Sequence, residues 1–209
     1  MAIEAVAGFD AWADRTGDGR RADRYITPPM KPTPKRRSYS IICVRRRPGD
    51  RTQGWLTADS LRVLVALGRG GIKANKREGD GGTPRGCFRL VRLWWRPDRG
   101  PRPRALLPLR PIATADAWCE APSDRRYNRP IRLTRGQPGD RLWRDDGLYD
   151  LVVELDHNAR PRIAGRGSAV FIHVARPGLR PTAGCVALPR AHLRRLVERC
   201  GRNTRISIY

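Results

Sequence analysis

The chain has 209 residues, enough for one domain of ordinary size plus a tail, with a core that needs no disulfides. Its 43 Lys and Arg against 20 Asp and Glu give a formal charge of +23, which implies a polyanionic neighbour: nucleic acid, an anionic lipid surface or a wall polymer. No run reaches the ~18 apolar residues of a transmembrane segment, and the five cysteines are widely spaced, with neither C-x-x-C nor Cys-His zinc spacing.

Residues 1–37 read as a basic, Pro-rich disordered tail, because Pro28, Pro29, Pro32 and Pro34 alternate with basic residues behind Gly17 and Gly19. Met1 to Thr27 is polar and carries Asp10, Asp14, Asp18 and Asp23, so no signal peptide is visible; Met30 would serve as an alternative start. The folded domain is expected over residues 38–209.

From Ser38 the pattern is β-rich. Tyr39 to Val44 and Leu61 to Leu67 are short apolar, β-branched runs, the second closed by Gly68, Gly70 and Gly71. Cys87 to Trp95 alternates apolar and basic residues; Leu148 to Leu155, Ala169 to Val174 and Arg205 to Tyr209 complete the strands. Pro189 to Cys200 alone has helical spacing, with Leu193, Leu196, Val197 and Cys200 on one face. Many short strands, Gly and Pro turns and few helices predict a mainly β domain, a β-sandwich of mixed sheets.

The chemistry-bearing stretch is Ser168 to Leu188. As a strand, Ala169 to Val174 puts Val170 and Ile172 on one side and Phe171 and His173 on the other, with the imidazole at the strand end. A loop stiffened by Pro177 and Pro181 returns the chain to Thr182-Ala-Gly184-Cys185, a turn whose glycine permits close approach of backbone to a substrate. A thiol beside an imidazole can act as a nucleophile, with backbone N–H groups at Gly184 and Cys185 facing the developing oxyanion. The spacing equally allows a strand-capping histidine and a packed cysteine.

These residues, together with the upstream Lys76-Arg-Glu-Gly79-Asp80-Gly-Gly-Thr83-Pro84-Arg-Gly86-Cys-Phe88, resemble the YkuD-type L,D-transpeptidase catalytic domain, whose members carry T-P-x-G-x-F, then a histidine, then Ser/Thr-x-Gly-Cys. The resemblance spans roughly 38–209. It implies the fold of that domain and a cofactor-free cysteine peptidyltransferase of the cell envelope or periplasm, a monomer whose partners are donor and acceptor stem peptides of peptidoglycan. By motif, Cys185 would be the nucleophile, His173 the base, the Val174 carbonyl its orienting partner, and Gly184 with Cys185 the oxyanion donors; Thr182 would lie at the substrate. The same scaffold using water would be an L,D-carboxypeptidase or endopeptidase, and the resemblance does not set the cross-link type.

Two positions depart from the family pattern: Ala183 stands where histidine commonly precedes Gly-Cys, and Val186-Ala187-Leu188 stands where arginine or asparagine often follows. The interval from His173 to Cys185 is also short, so an abbreviated loop is expected over the site. Tyr127 and Asn128 are candidates for a peptide groove, and His157, just past an apolar strand, for the same cleft; a packed turn tyrosine and a surface turn histidine are the alternatives. Gly79 to Gly86 lacks the Gly-Lys-Ser/Thr ending of a phosphate loop. The basic residues are dispersed and the tryptophans do not interleave with them as stacking platforms, so no nucleic acid is expected as partner.

Overall fold

The computed structural model describes residues 38–209; the reading of residues 1–37 as a tail, the start at Met30 and the signal-peptide reading lie outside the described residues. The elements in chain order are β1 (Ile41–Arg47), β2 (Asp50–Ala58), β3 (Leu61–Ala66), β4 (Ile72–Lys73), β5 (Thr83–Pro84), β6 (Gly86–Trp95), β7 (Leu109–Pro111), β8 (Asp116–Trp118), β9 (Pro130–Arg132), β10 (Asp140–Arg141), β11 (Leu151–Leu155), β12 (Phe171–Val174), β13 (Val186–Leu188), α1 (Arg190–Val197) and β14 (Arg205–Ile208). The domain is mainly β, as expected.

The expected sandwich is instead a closed sheet. The strand order is β11-β12-β13-β3-β2-β1-β14-β6, and β11 then pairs antiparallel with β6, joining the ends; β7 adds to β6 outside this ring. Closure removes the open edges that two stacked sheets would have had to cover. The sheet is mixed, with β1 parallel to β14 and β12 parallel to β13.

Alternation sorts the side chains. Ile42, Val44, Leu56, Val63, Val65, Leu90, Leu151, Val153, Ile172, Val186, Leu188, Ile206 and Ile208 converge from all eight strands on one core, which Leu193, Leu196, Val197 and Cys200 of the α1 segment join. The helical spacing read in the sequence is therefore the packing face. The opposite face of β6, β11 and β12 presents Trp94, Val152 and Phe171, which Cys185, just ahead of β13, joins, covered by Trp118, Leu142, Leu148 and Tyr149. Trp118 belongs to a small sheet of order β10-β8-β9. The candidate chemistry lies beneath this outer layer rather than inside the barrel.

β2 escaped the sequence reading because its alternation is carried by Gly54, Leu56 and Ala58 between polar or half-exposed neighbours. Gly54 has a steric reason: a Cβ there would stand 2.7 Å from the Arg45 carbonyl oxygen.

Candidate active site

Parallel pairing of β12 with β13 sets Ile172 opposite Val186 and His173 opposite Ala187. One step back, Cys185 falls across from Phe171, whose N–H donates to the Cys185 sulfur at 3.4 Å. Phe171 and His173 share a face because strand side chains alternate, so Cys185 and His173 are diagonal neighbours across two strands, about 7–8 Å apart at the backbone. Both line one cavity of ≈ 410 Å³, together with Thr182, Ala183 and Gly184.

The imidazole is fixed from one side. His173 Nδ1 lies 2.9 Å from the Val174 carbonyl oxygen, and Tyr149 stacks edge-on against the ring at 5.4 Å between centroids. Since a carbonyl only accepts, the proton of the neutral ring sits on Nδ1, leaving Nε2 with a lone pair.

The thiol is held as an acid. Cys185 Sγ donates to the Ala169 carbonyl at 3.2 Å. Ala169 has a φ of 50°, a left-handed conformation unusual for a residue with a Cβ, and its N–H donates to Asn128 Oδ1 at 3.3 Å. Asn128 also accepts from Trp118 Nε1 at 2.9 Å and donates from Nδ2 to the His157 and Asn158 carbonyls at 3.0 and 2.9 Å.

The turn before the cysteine is clamped by the glycine-rich segment. Thr182 N–H donates to the Leu67 carbonyl at 2.9 Å, and the Thr182 carbonyl accepts from Arg69 N–H at 3.0 Å. Thr182 Oγ1 donates to the Cys185 carbonyl at 2.7 Å and accepts from Gly184 N–H at 3.1 Å. Thr83 Oγ1, from the Thr-Pro pair, accepts from Gly68 N–H at 2.8 Å, tying β5 to the same turn. Buried Lys76 reaches Asp80 Oδ1 and the Arg77 carbonyl, both at 2.8 Å. Burial alone would raise the Asp80 carboxyl, but Lys76 and the N–H groups of Arg77 and Gly82 hold it well below the usual carboxylate range.

Of the residues singled out in the sequence, Cys185, His173, Gly184 and Thr182 thus meet at one cavity, with the Val174 carbonyl on the imidazole. Tyr127, Asn128 and His157 sit behind its wall: the Tyr127 hydroxyl donates to Glu78, and His157 Nε2 lies 3.1 Å from the Arg166 carbonyl oxygen with Phe88 edge-on at 5.4 Å. Sequence reasoning gave no role to Glu120, Asp140, Arg144 and Tyr149, which line the cavity, nor to Lys76, Glu78 and Ser168 beyond the stretches that contain them. They come from four stretches of chain that only the fold brings together, and no spacing signal joins those stretches.

Residues 40–208 match the family model of the YkuD L,D-transpeptidase catalytic domain. The chain belongs to the YkuD family. No curated protein and no solved structure matches it. YkuD domains form an enzyme family of L,D-transpeptidases that acts on peptidoglycan, so the cavity described above is where this member's chemistry is to be sought.

In this YkuD domain the resting pair is neutral rather than an ion pair. Burial lowers His173 to about 4, with the Val174 carbonyl opposing and Arg176 and Arg144 adding to the effect. Burial pushes the Cys185 thiol up to about 12; Phe171 N–H opposes this, while Asp140 and Glu120 add to it. A neutral imidazole is free to accept a proton.

The same shift makes stability pH-dependent. An unfolded histidine binds a proton below about 6.5 whereas folded His173 resists it down to about 4, so the unfolded state carries more protons in that window and stability falls as pH drops through it. The contribution is on the order of 3 kcal/mol. Glu120, raised to about 7, acts in the opposite sense. Urea unfolding of the wild type and of His173→Gln at pH 4 and pH 7 isolates the histidine: the variant is expected to lose less stability on acidification, and equal losses would refute the assignment.

Proposed function

We propose that the domain is a peptidoglycan L,D-transpeptidase working through Cys185. The single observation that carries this reading is that Cys185, immediately ahead of β13, and His173 of its parallel neighbour β12 line one cavity. His173 Nε2 takes the thiol proton as sulfur attacks the carbonyl that follows an L-centre of a donor stem. The tetrahedral oxyanion is met by main-chain N–H groups of the Gly184-Cys185 turn, each such donor being worth about 3 kcal/mol in comparable sites. Gly184 N–H, which rests on Thr182 Oγ1, exchanges that partner for the oxyanion. Collapse expels the terminal D-amino acid, its amine taking the proton from His173, and leaves a thioester on Cys185. An amine of a neighbouring stem then attacks the thioester, forming the amide cross-link and returning sulfur to its thiol.

The site of action is the cell envelope, where the formal charge of +23 favours retention on an anionic wall. The test is muropeptide profiling of purified sacculi incubated with the protein. New dimers are the expected result. Trimmed monomers alone would identify the hydrolase that uses water as acceptor, and an unchanged profile would sink both readings.

A further inference from the structure

In the closed ring β1 stands across from β12, four places away in either direction. The outer face of β3, β2, β1, β14 and the first half of β6 therefore looks away from the Cys185 and His173 wall. Ile42, Val44, Leu56, Val63, Leu90, Ile206 and Ile208 point into the core, so alternation turns their neighbours outward. Register sorts these outward side chains into rows running across the strands. Thr57, Cys43, Ser207 and Cys87 form a middle row of short side chains, with Arg62 opposite Thr57 at one end. Trp55 and Arg45, with Tyr209 against Arg45, stand on one side of it, and Arg205 and Arg89 on the other. Outward residues two apart along a strand are about 7 Å apart, so the arginine-bearing rows flank a trough about 13 Å wide at the backbone.

The charge on this face is uncompensated. Arg45, Arg62, Arg89 and Arg205 are exposed, and none of them forms an ion pair among the described residues. Asp50 is the sole acidic residue of the five strands; its carboxylate accepts from Thr52 N–H and Oγ1 and lies near Arg47 at the far end of β1. Arg205 and Arg89 face each other directly across β14 and β6, an arrangement that costs stability where nothing neutralises it. Two other guanidiniums are already set in place. Arg62 stacks on Trp55 at 4.5 Å, and Arg45 stacks on Tyr209 at 4.6 Å while donating to its hydroxyl at 2.6 Å. Stacking fixes the guanidinium plane and leaves its outer N–H edge free for an anion.

We propose that this trough is a docking surface for the peptidoglycan network, held through free carboxylates of stem peptides other than the one in the cavity. The family acts on peptidoglycan, and every stem that is not cross-linked at its end carries a terminal carboxylate. A guanidinium fork meets a carboxylate with two parallel N–H···O bonds. Carboxylates recurring along a strand can engage Arg62, Arg45 and the Arg205 and Arg89 pair in turn, over a floor of short side chains that lets an extended polymer lie close to the sheet. The network is then held on one side of the barrel while a single stem enters the cavity on the other. Docking here needs the family's substrate but no chemistry at Cys185.

The test uses Cys185→Ala as the parent, so that nothing is turned over, and purified sacculi freed of accessory polymers. Adding Arg62→Gln, Arg89→Gln and Arg205→Gln together should weaken co-sedimentation with the sacculi about tenfold, and binding of the parent should fall with rising salt. The three positions are exposed and the change removes the opposed Arg205 and Arg89 charges, so the variant is expected to fold. Lysine at the same three positions should keep part of the affinity. Cys87, exposed in the trough floor, reports where the polymer lies. Soluble peptidoglycan fragments should slow its labelling by a maleimide, and fragments with amidated carboxylates should not. Unchanged sedimentation of the glutamine variant, unprotected Cys87, or equal protection by amidated fragments would overturn the surface. Stronger protection of Cys87 by DNA or by anionic lipid vesicles would also overturn it, assigning the face to another polyanion. Failure of acyl transfer by the wild type would count against the Cys185 mechanism alone and leave these outcomes as they stand.

Discussion

Replacing Cys185 with alanine is expected to abolish acyl transfer, by about 10⁴-fold or more, and to leave the protein folded. The magnitude follows from the role: with no sulfur there is no thioester, and what remains is orientation and oxyanion stabilisation acting on a water attack. The fold should tolerate the change because Cys185 contributes two weak contacts, from Phe171 N–H and to the Ala169 carbonyl, while the Thr182 Oγ1 clamp acts on its backbone. Intact mass spectrometry with a strained β-lactam such as a carbapenem gives a readout independent of turnover. One adduct is expected on the wild type and none on the variant. Adduct formation by Cys185→Ala, or transfer activity retained within tenfold, would move the nucleophile elsewhere; Cys43 and Cys87, less buried than Cys185, would then be the thiols to examine.

Slow alkylation of the resting enzyme belongs to the same expectation. Because burial, and then Asp140 and Glu120, keep the Cys185 thiol protonated, its reaction with iodoacetamide should climb with pH beyond neutrality, unlike a preformed thiolate, which would react fully in mild acid.

What could be read from the sequence was local. Alternation in the stretch that became β12 placed His173 opposite the core face, and the spacing of Leu193, Leu196 and Val197 marked the packed face of α1. Both follow from neighbours along the chain, where the period of the backbone is visible. Closure of the barrel was not legible. It depends on β11 pairing with β6 as well as β12, and each of those strands taken alone reads the same in a sandwich.

The site divides in the same way. Thr182, Gly184 and Cys185 form a contiguous turn, and His173 pairs with it through adjacent strands. Glu78, Glu120 and Asp140 lie in segments that only the tertiary fold brings to one wall, and a lone acidic residue in a basic loop carries no mark of that. Tyr127 and Asn128 were visible as polar groups near a turn, but not their place behind the wall, where Asn128 bonds Ala169 and so bears on the carbonyl that holds the thiol.

Gly184→Ala is expected to damage both stability and activity, through backbone contact rather than any lost side chain. Gly184 has a φ of 147°, a conformation that residues with a Cβ rarely adopt, and a Cβ there would stand 2.8 Å from the Gly82 carbonyl oxygen. That oxygen cannot swing aside, because Thr83 N–H, in the same rigid peptide plane, donates to the Gly71 carbonyl at 2.8 Å. The strain therefore passes into the Thr182 to Cys185 turn and shifts the N–H groups that the proposed mechanism directs at the oxyanion. A cost of about 2–4 kcal/mol in unfolding free energy is expected, with acyl transfer about 100-fold slower, the usual effect of moving a reacting group by an ångström. Gly49→Ala is the control: Gly49 also has a positive φ, 79°, but a Cβ there meets nothing within 4 Å. It should lose about 1 kcal/mol and no activity. Equal behaviour of the two variants would show that the Gly82 contact does not position the nucleophile turn.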